Sequence, residues 1–201
     1  MSRVRSIFLD AYTRWPQLHG ALHVYALPSD ELRAALTPLL EPIRAFDGCT
    51  PVEPQWMHAT VSRLPAFVGL TEPAQITKYQ SALAEFASAT ASFDLTLHGP
   101  IIEDVAVLVG GAETPQWAHI VDGVRGLGAD IFGGTTRRTH APHISLGYGT
   151  ADADSAPLAA AYPDERSFAF PVRALSLLAV VKDPIAGTFT WDVVGEHLLG
   201  H

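Results

Sequence analysis

Cysteine is almost absent: Cys49 is the only one in 201 residues. That excludes an intrachain disulfide framework and suits a reducing compartment, with Cys49 itself read as a small, half-buried hydrophobe. Positive charge is also scarce, 13 Lys and Arg against 21 Asp and Glu, for a formal net charge of −8. Sequence-independent binding to long nucleic acid needs many Lys/Arg–phosphate contacts, so no extended nucleic-acid surface is expected. A small phosphorylated nucleotide or an RNA 3′ end remains compatible, because a local pocket can differ in sign from the whole. No segment approaches the ~18 uninterrupted apolar residues of a membrane span. The opening stretch MSRVRSIFLDAYTRWPQ has an apolar run too short and interrupted for a signal sequence. These absences predict a soluble, cytoplasmic protein without a membrane partner, and we expect a monomer. There is no Gly-x-x-x-x-Gly-Lys phosphate loop and no Gly-x-Gly-x-x-Gly after a strand, so nucleoside-triphosphate and dinucleotide motifs are missing.

What is present is apolar and patterned. Hydrophobic residues make up 48% of the chain and charged ones only 17%, the balance of a folded globular protein rather than a disordered one. Two strings then stand out. His58-Ala-Thr60 in WMHATVSRL and His143-Ile-Ser145 in PHISLGYG repeat one pattern 85 positions apart (143 − 58). On a strand, residues i and i+2 project from one face, so each string aims an imidazole and a hydroxyl in a common direction. Brought together, they would give two proton-transfer groups and two hydroxyl donors, suited to acid–base chemistry on a phosphate.

The surrounding elements repeat as well. In the first half, a strand over Leu22–Leu27 is followed by a helical stripe of Leu32, Leu36, Leu39, Leu40 and Ile43, which Pro38 and Pro42 should kink or shorten. The turn-rich DGCTPVEP leads into the first motif strand, about Trp56 to Leu64. In the second half, the strand Asp104–Gly110 precedes a helix with Thr114 as N-cap, Pro115 at its first position and Trp117, Ile120, Val121, Val124 and Leu127 on one face. Gly123, Gly126 and Gly128 weaken that helix. GGTTRRTHAP then leads into the second motif strand, Pro142–Tyr148. Leu22 to His58 spans 36 positions and Val105 to His143 spans 38, an internal pseudo-repeat.

Between the halves lie an amphipathic helix, with Thr71 as N-cap and Ile76, Tyr79, Leu83 and Phe86 inward, and a strand over Ser92–Gly99. ADADSAPLAAAYPDERS reads as a surface loop with a short helical turn, and VRALSLLAVVKD and TFTWDVV as closing strands. The total, about seven strands and three substantial helices, is an α+β class that leans antiparallel.

Several neighbours are candidates for substrate contact. His23 and Tyr25 share a strand face and would look into a groove, Tyr25 stacking on a base, if the opposite face packs on helices; an edge-strand pair is the equal alternative. Arg138, with Arg137, could supply positive charge to a terminal phosphate, although a solvated pair is the commoner outcome. Tyr148 has the opposite parity from His143 and Ser145, which points to core or rim unless the strand bends at Gly147. Arg63 has the wrong parity on a regular strand and is left aside. His140-x-x-His143 resembles a metal pair, but no further ligand stands at a recognisable spacing, so neither metal nor cofactor is expected. His19, His98, His119, His197 and His201 read as ordinary surface or edge residues.

With both motifs in view, the chain resembles the 2H phosphoesterase superfamily, and within it the bacterial 2′-5′ RNA ligase-like proteins, also described as RNA 2′,3′-cyclic phosphodiesterases. The strings WMHATVSRL and APHISLGYG carry the resemblance, TFTWDVV supports it, and it covers Leu22 to Val194. It implies one domain over residues 1–201, built as two pseudo-repeat lobes whose antiparallel sheets flank a central groove, with helices outside. It also implies metal-independent opening of 2′,3′-cyclic or 2′-5′ phosphodiesters, reversible as ligation, with His58 and His143 as the catalytic histidines and Thr60 and Ser145 as the paired hydroxyls. Which histidine is base and which is acid stays open in the sequence. A module of the same shape that binds a nucleotide or RNA end without turning it over is the alternative.

Overall fold

A computed structural model describes residues 3–9, 15, 17–139, 141–162 and 164–200. His140 and His201 therefore lie outside the described residues. The strands are β1 (Arg3–Val4), β2 (Ala21–Ala26), β3 (Cys49–Pro51), β4 (Ala59–Phe67), β5 (Phe93–Ile102), β6 (Ala106–Gly110), β7 (His143–Gly149), β8 (Ala153–Asp154), β9 (Arg166–Val172), β10 (Ala174–Asp183) and β11 (Thr188–Leu198). The helices are α1 (Asp30–Leu36), α2 (Glu41–Arg44), α3 (Pro73–Ala89), α4 (Pro115–Phe132) and α5 (Ala156–Ala160).

The main sheet runs β11-β10-β2-β4-β7-β6-β5-β9, with β3 on the rest of the β7 edge, and its pairings are antiparallel. Its centre is a narrow seam. β4 and β7 share a single registered pair, Ala59 with Ile144, so a four-stranded antiparallel sheet on each side meets at that point. Each motif strand lies beside the strand that opens its half of the chain, β2 next to β4 and β6 next to β7.

Helices cross between the two sides. α4 packs on β4, and α3 packs on α4, β10 and β11, with the Tyr79 hydroxyl donating to the Val124 carbonyl at 3.2 Å. The proline-broken helical segment of the first half packs instead toward β3, β7 and β9. Pro38 and Pro42 do break it: α1 ends at Leu36, a 3₁₀ turn covers Thr37–Leu40, and α2 restarts at Glu41, because proline lacks the N–H an interior turn requires. The buried stripe of α4, Trp117, Ile120, Val121 and Val124, matches the sequence spacing, and the Thr114 hydroxyl accepts from the Trp117 N–H as the N-cap.

Three expectations need correction. α3 starts at Pro73 after Glu72, which makes no side-chain cap; the Thr71 hydroxyl instead accepts from the Phe67 N–H, within the turn that leaves β4. The segment after the second motif carries its expected short helical turn as α5 but also holds an unexpected strand, β8. β9 has no counterpart among the expected strands: it pairs along β5 from Phe93/Val172 to Gly99/Arg166 and buries Phe168, Phe170 and Val172 by simple alternation. Among the described residues, no helix is long and apolar enough to cross a membrane.

Candidate functional site

The seam brings the two motifs together. Ala59 and Ile144 face each other and are fully buried, so their side chains define the back of the sheet. One step to either side, antiparallel register sets Thr60 beside His143 and His58 beside Ser145, all four on the opposite face. Two imidazoles and two hydroxyls thus alternate around one small area. Both rings are oriented the same way. His58 Nδ1 lies 2.9 Å from the Trp56 carbonyl and His143 Nδ1 lies 3.2 Å from the Ala141 carbonyl, each two residues upstream. A carbonyl only accepts, so Nδ1 carries the hydrogen in both rings and Nε2 is the reactive nitrogen.

The environments of the two rings differ. His58 is buried and lies parallel to the Tyr25 ring, 3.9 Å between centroids at 9°, with Trp191 edge-on at 5.0 Å. Burial pushes its pKa down to about 4, opposed by the Trp56 hydrogen bond and aided by the charges of His143 and Arg63. His58 is therefore a neutral imidazole through the ordinary pH range. His143 is partly exposed at the wall of a groove of about 870 Å³ that Thr60, Arg63 and Arg137 also line.

A β-bulge follows each motif at the same offset. β4 pairs Thr60 with Tyr25 but Ser62 with Val24, so Val61 is the extra residue; β7 pairs Ser145 with Leu108 but Gly147 with Val107, so Leu146 is the extra one. One extra residue reverses the alternation beyond it. The third residue after each hydroxyl, Arg63 in β4 and Tyr148 in β7, consequently turns to the motif face. Arg63, set aside on regular parity, is in the groove wall, and its charge acts on His23, Tyr25, His58 and Tyr148. It is the main residue that sequence reasoning misses, since nothing in HATVSRL marks the bulge. Trp56 and Trp191, edge-on to each other at 5.0 Å beside His58, are missed too.

The remaining candidates are placed differently from expectation. His23 and Tyr25 share the motif side of β2, as one of the two expected placements has it, but are 4% and 2% exposed and so present almost no free surface. His23 Nδ1 and the Tyr25 hydroxyl lie 2.7 Å apart, the Tyr25 hydroxyl also bonds Thr60, and His58 covers the ring face expected to receive a base. Burial holds the His23 pKa well below the ordinary imidazole value and raises that of Tyr25. Tyr148 is likewise buried, packed edge-on to Phe8 and Phe189, with its hydroxyl bonded to Ser145 and its pKa pushed up by burial to about 12. Each motif hydroxyl thus has a buried tyrosine behind it. Arg138 does line the groove, but Glu113 at 2.6 Å and Asp122 at 2.7 and 3.1 Å hold its guanidinium. Those two carboxylates more than offset its single charge and tie the loop before β7 to Asp122 of α4. His98, read as an ordinary edge residue, lies in the groove wall. Among the described residues, no three His, Cys, Asp or Glu side chains converge as a metal set.

No protein-family model matches the chain, and no curated protein matches it in sequence. Solved structures do match in fold. TT0787 of Thermus thermophilus superposes with a TM-score of 0.71 at 20% identity, over 89% of this chain and 97% of that one. E. coli LigT complexed with 3′-AMP gives 0.67 at 17%, over 91% and 99%, and a crystal structure described as a phosphoesterase gives 0.66 at 18%, also over 91% and 99%. Nearly the whole length of each is covered, and this chain shares their fold.

Proposed function

We propose that this chain is a 2H phosphoesterase, one domain of two pseudo-repeat lobes, that hydrolyses 2′,3′-cyclic or 2′-5′ phosphodiesters of nucleotides or RNA ends without a metal. The observation that carries the reading is the convergence of His58, Thr60, His143 and Ser145 on one face at the Ala59–Ile144 pair. Neutral His58, its Nδ1–H held by the Trp56 carbonyl, presents Nε2 as the base. It takes a proton from water as the water oxygen bonds to phosphorus. His143, the more exposed ring, protonates the ribose oxygen as its bond to phosphorus breaks. Each transfer of this kind contributes typically ~10²–10⁴ in rate. Thr60 and Ser145 donate to the non-bridging oxygens, and Arg63 offsets the charge that gathers there. Run backwards, with a ribose hydroxyl in place of water, the same steps form a diester and need no ATP. The nucleotide in the LigT structure of the same fold, 3′-AMP, is a monoester of the kind that opening a 2′,3′-cyclic phosphate leaves as product.

The test is turnover of a panel of 2′,3′-cyclic mononucleotides, a 2′-5′-linked dinucleotide and a cyclic-phosphate-ended oligonucleotide in EDTA. The wild type is expected to turn over at least one of them. His58→Ala and His143→Ala should each lose about 10²-fold or more in kcat while still binding the ligand. A folded wild type that binds a panel member and turns none over would replace the enzyme with a binding module.

A further inference from the structure

We propose that the floor of the groove beside His143 is a nucleoside subsite, built on Gly110 and ended by His98, which receives the ribose and base of the substrate. This rests on the phosphoesterase reading and names the part of the ligand that the four motif residues do not touch. The register lines up three residues: His143 of β7 faces Gly110 of β6, and Gly110 faces His98 of β5. Directly opposed residues share a sheet face. With strands about 5 Å apart, the two imidazoles stand on positions roughly 10 Å from each other. The residue between them has no side chain.

The missing side chain shapes the slot. A Cβ on Gly110 would lie 3.3 Å from Leu108 Cδ1, 3.7 Å from Ile101 Cδ1 and 3.8 Å from His143 Cβ, so two aliphatic chains and the His143 stem form its sides. All five residues line the same groove of about 870 Å³. That is ample for a nucleotide, since small-molecule sites span about 300–1,000 Å³. The His98 ring is held in a usable orientation. Its Nδ1 lies 3.0 Å from the Ser167 hydroxyl, with Glu165 at 3.9 Å, so Nε2 is the nitrogen that can bond a ligand. A phosphate held by the motif residues carries its ribose on a directly bonded oxygen. The base then extends about one strand spacing further, over bare backbone, between apolar walls, with its polar edge toward His98.

The opposite side offers no equivalent. β2 is buried at every position, and the face beside His58 is filled by Tyr25, His23 and Trp191. Among the described residues, none from β2, β10 or β11 lines the groove. The nucleoside therefore lies on the His143 side.

The experiment compares kcat/KM for a 2′,3′-cyclic nucleotide with that for ethylene phosphate, a cyclic diester with neither ribose nor base. The wild type is expected to favour the nucleotide. His98→Ala and Gly110→Val should each lower the nucleotide-to-ethylene-phosphate ratio about tenfold or more, chiefly through KM. Equal efficiency of the wild type on both substrates overturns the subsite and leaves the phosphoesterase reading intact. An unchanged ratio in His98→Ala does the same, whatever Gly110→Val does to folding. Turnover of neither substrate by the wild type overturns the phosphoesterase reading and the subsite with it.

Discussion

Tyr25 lies flat against His58 on one side and hydrogen-bonds His23 and Thr60 through its hydroxyl, so one side chain touches three groups of the site. Its ring and its hydroxyl do separate things. The ring keeps water from His58, and desolvation is the largest cause of the depressed imidazole pKa. Tyr25→Leu should therefore move the His58 titration upward from about 4 toward the ordinary 6.5, whereas Tyr25→Phe, which keeps the ring, should leave it nearly in place. An NMR titration of the His58 imidazole reads this without reference to turnover. A His58 titration unmoved by Tyr25→Leu would show that other neighbours, Trp191 first, exclude the water. Tyr25→Phe has its own cost, since the buried His23 Nδ1 loses its partner, worth about 1–3 kcal/mol of stability.

At the scale of elements, α4 shows why glycine content misleads when read alone. Gly123, Gly126 and Gly128 each lower helix propensity. Gly123 faces α3: a Cβ there would come within 2.3 Å of the Phe86 ring, and the close approach of the two helices depends on its absence. Gly126 faces open space, with nothing within 4 Å. The same substitution should have opposite signs at the two positions. Gly126→Ala is expected to stabilise by about 0.5–1 kcal/mol and Gly123→Ala to destabilise by about 1–3 kcal/mol, read as shifts in the denaturant midpoint. α4 packs on β4, the first motif strand, so this contact also helps set where Thr60 and Arg63 stand. The bulges at Val61 and Leu146 act on the same strands, turning Arg63 and Tyr148 to the motif face.

For the whole molecule, two buried histidines make stability depend on pH. The folded chain holds His58 near 4, and His23 also well below its ordinary value, while the unfolded chain protonates both near 6.5. As pH falls, the unfolded state takes up protons first. The contribution of these residues is full above about pH 6.5 and is lost between there and pH 4. For His58 alone the shift corresponds to an amount on the order of 3 kcal/mol. Denaturant midpoints measured from pH 7 down to pH 4 should fall, and His58→Gln should flatten the slope. A wild-type midpoint independent of pH over that window would mean that His58 is hydrated and protonates freely in the folded chain.

Much of the fold is legible in order along the chain. The two motifs, the strand and helix that precede each, the stripe of α4 and the break at Pro38 and Pro42 follow from periodicity and from the lack of a proline N–H, which are local properties. β9 escapes because its short alternation, RSFAFPV, follows a loop-like stretch and gains its meaning only beside β5. The site is half legible. Residue types and spacing nominate His58, Thr60, His143 and Ser145, since i and i+2 must share a face of any strand. Regular parity fails just beyond them. A bulge depends on how two strands meet, not on either strand alone, so Arg63, Tyr148 and the burial of His23 and Tyr25 come only from the sheet. The division of labour between the histidines belongs there too. The motifs share one His-x-hydroxyl pattern, and it is packing, aromatic rings around His58 and an open groove beside His143, that makes one imidazole different from the other.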